Sequence, residues 1–143
     1  MYIAVCDDQT EELGSLTELI GAWEEDRGTP VRVKSFRSAA ALLDAARHER
    51  FTLYLLDIMM PGMDGVAACT EIRQHSVAPI LFLTAKAQPA DMSDAYGSGG
   101  DDYLIKPFSN HELFLRVDSL IRRYRVYHGK GDAPTVIDAL QIN

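Results

Sequence analysis

Along the chain, short apolar runs alternate with stretches in which apolar residues recur every three or four positions. Residues 2–6, 53–56, 80–83 and 103–105 show little internal alternation, the pattern of strands buried on both faces of a sheet. Residues 31–36 differ, because Arg32 and Lys34 interrupt the apolar positions, which suits an edge strand. Helical stripes lie between the runs. Leu13, Leu16, Ile20 and Trp23 form one, and Leu42 with Ala45 and Ala46 forms a weaker one. Val66, Cys69 and Ile72 follow Asp64, a residue suited to cap a helix. Leu113, Val117, Leu120, Ile121 and Tyr124 share a face of the last helix, which opens on the capping-box pattern Ser109-Asn-His-Glu112. The fourth helix, residues 89–96, is short and followed by Gly97, Gly99 and Gly100, so it is expected to be the least stable.

Strands alternating with helices in this way predict an α/β fold, a doubly wound five-stranded parallel sheet covered on both faces. Ligands of such folds sit beyond the carboxyl ends of the strands. Just past the first run stand Asp7 and Asp8, past the third Asp57, past the fourth Thr84 and past the fifth Lys106. Crowded carboxylates resist ionisation unless a hard cation or an ammonium compensates them. Mg²⁺ takes oxygen ligands and keeps room for waters and phosphate, and a carboxylate can attack phosphorus to give an aspartyl phosphate. Taken singly, an acidic pair after a strand is a helix cap, a strand-end Thr is structural and a Lys-Pro is a loop. The combination at consistent strand ends favours a functional cluster.

Composition removes other classes. Apolar residues make up 47% and charged residues 24% of the 143 positions, ordinary for a soluble globular domain. No run approaches the roughly 20 apolar residues of a membrane helix, and the start lacks a signal-peptide pattern, so cytoplasmic residence without membrane contact is expected. A net charge of −7 argues against this chain alone gripping nucleic acid. The basic cluster Arg122, Arg123 and Arg125 suits a helix C-terminus, where cations oppose the macrodipole. Cys6 and Cys69 read as buried thiols, and His48, His75, His111 and His128 lack ligand spacing.

The stretches CDD at 6–8, LLDIMMPGMDG at 55–65, FLTA at 82–85 and GGDDYLIKPF at 99–108 resemble the receiver domain of two-component response regulators, the CheY-like fold. The resemblance implies a sheet of order 2-1-3-4-5, as in flavodoxin-like folds, and phosphorylation of Asp57 by a sensor histidine kinase. It implies Mg²⁺ held by Asp8, Asp57 and the Met59 backbone carbonyl, with Asp7 acting through water. Thr84 and Tyr103 match the family's switch pair, and Lys106 its phosphate-facing lysine, followed by a cis proline bond. Tyr103 read on its own is a half-buried strand aromatic. No enzyme activity is implied beyond the domain's own phosphoryl transfer and dephosphorylation. Two departures stand out. Gln9 replaces a frequent third acid, which removes one nearby charge. Met59 offers no polar side chain to position a hydrolytic water, which predicts slow self-dephosphorylation; a phosphoryl lifetime of seconds would refute that.

Residues 101–123 further resemble receivers of the OmpR/PhoB winged-helix class, in which Asp101, Asp102, Glu112, Arg116 and Arg123 would pair across a homodimer built on helix 4, strand 5 and helix 5. Met92 stands where the partner of Glu112 is expected. On this reading residues 1–125 form the receiver, and 126–143 a linker and the possible first strand, VIDALQIN, of a truncated winged-helix domain through which alone DNA would be bound; the other reading has this tail pack on its own domain or stay disordered. A LytTR-type regulator is an alternative within the family, suggested by the opening MYIAVCDDQTEEL. Outside the family, a haloacid-dehalogenase-type phosphatase would need an acid at position 59, and a flavodoxin-like FMN binder a hydroxyl-rich loop in place of Asp7-Asp8-Gln9.

Overall fold

The computed structural model describes residues 1–85 and 88–131, with side chains as far as Val126. Ten elements alternate: β1 (Tyr2–Cys6), α1 (Thr10–Arg27), β2 (Arg32–Phe36), α2 (Ala39–Ala46), β3 (Leu53–Leu56), α3 (Gly65–Ile72), β4 (Ile80–Thr84), α4 (Pro89–Gly97), β5 (Asp102–Ile105) and α5 (Asn110–Gly131). The strands form one sheet of order β2-β1-β3-β4-β5, and every neighbouring pair is parallel. The expected fold class and strand order are those observed.

The apolar runs divide between two cores because successive side chains of a strand point to opposite faces. Ala4, Cys6, Tyr54, Leu56, Ile80 and Phe82 pack with Leu42 and Ile72 on one side of the sheet. Ile3, Val5, Leu53, Leu55, Leu81 and Leu83 pack with Ile20 and Val117 on the other. β2 is an edge strand, as its alternation implies, with Arg32, Lys34 and Ser35 exposed. β5 is the opposite edge, as the order 2-1-3-4-5 implies, and Tyr103 and Leu104 are buried in the two cores on its two faces. Ile105 departs from the expectation of a run buried throughout, being 37% exposed.

Local signals place the helices. Asp64 Oδ1 accepts from Ala67 N at 2.8 Å, the expected cap of α3. The capping box of α5 forms, with Ser109 N donating to Glu112 Oε1 and Glu112 N donating to Ser109 Oγ, both at 3.1 Å. α4 buries Ala95 alone, consistent with a weakly anchored helix. The helix of α5 continues to Gly131, so residues 126–131, expected to begin a linker, are helical. Residues 132–143, with the stretch VIDALQIN, lie outside the described residues. Among the described residues no helix is long and apolar enough to cross a membrane.

Candidate functional site

Register decides which polar residues meet. Cys6 of β1 is level with Leu56 of β3, which is level with Phe82 of β4 and, through it, Tyr103 of β5. One residue beyond that line, Asp7 and Asp57 therefore leave the sheet side by side, and Asp57 N donates to Cys6 O at 3.0 Å. Thr84 ends β4 opposite Ile105, and Lys106 N donates to Thr84 O at 2.8 Å. Past Asp57 the chain turns at Pro61-Gly62, where Gly62 has φ +78°, a conformation that L side chains rarely adopt. Gly65 then starts α3 directly against this loop, with Gly65 N donating to Ile58 O at 2.9 Å.

Oxygen atoms of Asp7, Asp8 and Asp57 lie within 4.8 Å of one another. Asp7 and Asp57 are buried, and Asp8 is half-buried. Asp7 does not cap α1; its Oδ1 accepts from Gln9 N at 2.9 Å while Oδ2 faces Lys106 Nζ at 3.0 Å. Lys106 Nζ is also 3.9 Å from Asp57 Oδ1 and pairs with Glu12 Oε1. Burial pushes the Asp57 carboxyl from 3.8 to about 6, and the charges of Asp7 and Glu12 add to that rise. Lys106 and a backbone hydrogen bond from Met59 act against it. Burial alone would lower the Lys106 ammonium; its bonds to Glu12 and Asp7 outweigh that and raise it.

Four carboxylates thus converge near one ammonium. Hard oxygen donors from separate residues, with a surplus of negative charge, fit a hard divalent cation such as Mg²⁺. Thr84 is wholly buried, and Tyr103 is 4% exposed with its ring centroid 6.5 Å from that of Phe82. The Tyr103 ring is therefore enclosed rather than half-buried. A groove of about 630 Å³ opens beside the cluster, and its lining includes Asp7, Glu12, Asp57 and Lys106 together with Leu16 and Phe108. The Lys106–Pro107 bond is cis, as the resemblance implies.

Position 9 supplies no charge, as read from the sequence, but Glu12 in the first turn of α1 brings a further carboxylate onto Lys106. Its sequence signal, four residues past Asp8, was hidden because Glu is the ordinary occupant of a first helical turn.

The residues expected at a dimer face are partly engaged within the chain. Asp101 Oδ2 accepts from Arg73 Nη2 at 2.7 Å and from Ile80 N at 2.8 Å. Arg116 Nη1 donates to Asp102 Oδ1 at 2.6 Å, Glu112 belongs to the cap of α5, and Arg123 is exposed. On the same three elements Tyr96, Ile105 and Leu115 expose apolar side chains, which the sequence reading did not single out. Cys6 and Cys69 are buried free thiols, and His48, His75 and His111 are exposed.

The family model for the response regulator receiver domain matches residues 3–118. The chain is 41% identical over 130 residues to the uncharacterized transcriptional regulatory protein YrkP of Bacillus subtilis (strain 168), covering 90% of this chain and 52% of that protein. It is 48% identical over 73 residues to the transcriptional regulatory protein ResD of the same organism, 51% of this chain and 30% of the relative. It is 42% identical over 80 residues to the transcriptional regulatory protein SrrA of Staphylococcus aureus (strain NCTC 8325 / PS 47), 56% and 33% of the two chains. The chain thus spans about half or less of these relatives. Among solved structures it is similar to the BeF3-activated DrrB receiver domain, with a TM-score of 0.75 and 28% identity over 85% of this chain and 97% of the other. It is equally similar in fold to a two-component response regulator from Clostridium difficile, with a TM-score of 0.75 and 26% identity over 86% and 97% of the chains. The strand order, the acidic cluster at the strand ends and these matches agree, and the chain belongs to the response regulator receiver domain family.

Proposed function

We propose that this receiver domain is a phosphorylation-activated switch of a two-component system. The observation that carries the reading is the convergence of Asp7, Asp8 and Asp57 within 4.8 Å, with Lys106 Nζ 3.9 Å from Asp57. An Asp57 carboxylate oxygen forms a bond to the phosphorus carried by a kinase histidine. The phosphorus–nitrogen bond breaks, and its electron pair stays on the imidazole. When bound, Mg²⁺ supplies charge neutralisation at the developing phosphoryl oxygens. Asp8, Asp57 and the Met59 carbonyl would hold it directly, and Asp7 would assist through water. The Lys106 ammonium pairs with the transferred group, and the Thr84 hydroxyl donates to it.

The new phosphoryl charge draws Thr84, and Tyr103 takes the space it leaves. With Tyr103 already enclosed beside Phe82, this step is a shift within a packed site rather than a swing from solvent. α4, which packs on the core through buried Ala95 and partly buried Met92 only, is a suitable two-state element. The exposed Tyr96, Ile105 and Leu115 support a homodimer through α4, β5 and α5, in which Asp102 and Arg116 would exchange partners. Output is transcriptional, as in the longer transcriptional regulatory proteins YrkP and ResD, and DNA contact falls to a domain outside the described residues. The setting is cytoplasmic, and turnover is confined to the domain's own phosphoryl group.

The test follows oligomeric state by light scattering with Mg²⁺ and beryllofluoride, for wild type and Asp57→Asn. Mg²⁺-dependent dimerisation in the wild type alone is expected. Equal behaviour of the two proteins would overturn the reading.

A further inference from the structure

Lys106 carries three carboxylate contacts, and they are not equivalent. Asp7 Oδ2 lies at 3.0 Å and Asp57 Oδ1 at 3.9 Å, while Glu12 Oε1, from α1, pairs directly with the same ammonium. Asp7 is buried, whereas the Glu12 side chain is 48% exposed. An exposed ion pair is worth little net free energy, so this contact breaks easily when a stronger anion arrives. The ammonium thus rests between Asp7 and Glu12 and stands off the carboxylate it would serve during phosphoryl transfer. Glu12 also lines the groove from which a phosphoryl donor reaches Asp57, next to Glu11, which lines the same groove.

We propose that Glu12 is a positioning residue, a latch that holds Lys106 away from Asp57 in the resting domain and must release it before the phosphoryl group can be accepted. This rests on the reading of Asp57 as phosphoacceptor. In the transfer, an Asp57 oxygen bonds to phosphorus while the donor's bond to phosphorus breaks, and the departing group keeps the electron pair. Negative charge then grows on the phosphoryl oxygens, and Lys106 moves toward them only by leaving Glu12. The latch therefore slows the bound-state step. A negative charge at the groove mouth, by contrast, weakens the approach of an anionic donor. These two effects separate into the maximal rate and the donor concentration at half-saturation.

The experiment uses the whole chain, Mg²⁺ and radiolabelled acetyl phosphate, an acyl phosphate whose carboxylate is the leaving group. Labelling of Asp57 is followed to saturation for wild type, Glu12→Gln and Glu11→Gln, with far-ultraviolet circular dichroism confirming that each is folded. Glu12→Gln is expected to raise the maximal labelling rate roughly fivefold, the weight of one screened ion pair. Glu11→Gln removes an equal charge from the same groove without touching Lys106, and it is expected to change half-saturation only. Higher salt should shrink both effects, because the Glu12 side chain is 48% exposed, so the two variants are told apart at low salt by which parameter each changes. A labelled wild type with Glu12→Gln no faster at saturation, or indistinguishable from Glu11→Gln, overturns the latch alone. A wild type that takes no label overturns the phosphoacceptor reading and the latch with it.

Discussion

Gly65 makes the sharpest stability prediction, because one added carbon meets the backbone that carries the functional aspartate. A Cβ built there would sit 2.9 Å from Ile58 Cα and 3.1 Å from the Asp57 carbonyl carbon, and closer still to the Asp57 carbonyl oxygen. All three are backbone atoms of a strand end tied to β1, so none can yield as a flexible side chain would. Forcing an extra carbon into such a site costs about 1–3 kcal/mol. Replacing Gly by Ala in a helix returns about 0.5–1 kcal/mol. Gly65→Ala is therefore expected to destabilise the domain by about 1–2 kcal/mol, a fall in Tm of roughly 3–8 °C. Gly14, inside α1, is the internal control. Its Cβ would meet nothing within 4 Å, and its φ lies outside the left-handed range, so Gly14→Ala should stabilise by about 0.4–1 kcal/mol. Thermal unfolding by circular dichroism reads both. An unchanged or raised Tm for Gly65→Ala, or equal shifts for the two variants, would refute the close-approach argument.

Asp57 gives a pH signature in the presence of a chelator. Its carboxyl titrates at about 6 when folded against 3.8 ordinarily, so between those values the native state binds more protons and stability falls as pH rises. Above about 6 the loss is complete. Asp57→Asn should then be more stable than wild type by up to about 3 kcal/mol at neutral pH, with the gap closing toward pH ~4. Urea unfolding across that range checks it; a gap independent of pH would count against the buried-charge account. Asp118 links α5 to α1 by accepting from Trp23 Nε1 at 2.8 Å and from Arg27 Nε at 3.0 Å and Nη2 at 2.7 Å. Asp118→Ala leaves the buried Trp23 donor without this acceptor, so a cost of about 1–2 kcal/mol is expected in urea, with a shift in tryptophan emission. A cost below about 0.5 kcal/mol would refute it.

The apolar runs and helical stripes determined by themselves that the chain is a parallel α/β sheet with Asp7, Asp8, Asp57, Thr84 and Lys106 at one edge. That much is legible because strand burial and helix amphipathicity are periodic, and a parallel sheet collects the residue after each strand on the same side. Caps were legible for the same local reason, as Asp64 and Ser109 show. Only the tertiary structure decided what depends on distance between segments remote in sequence. It left Ile105 exposed, drew Asp101 to Arg73, enclosed the Tyr103 ring, and brought Glu12 onto Lys106. An ion pair or a buried contact belongs to two elements at once, and the sequence of either one carries no record of how close the other comes.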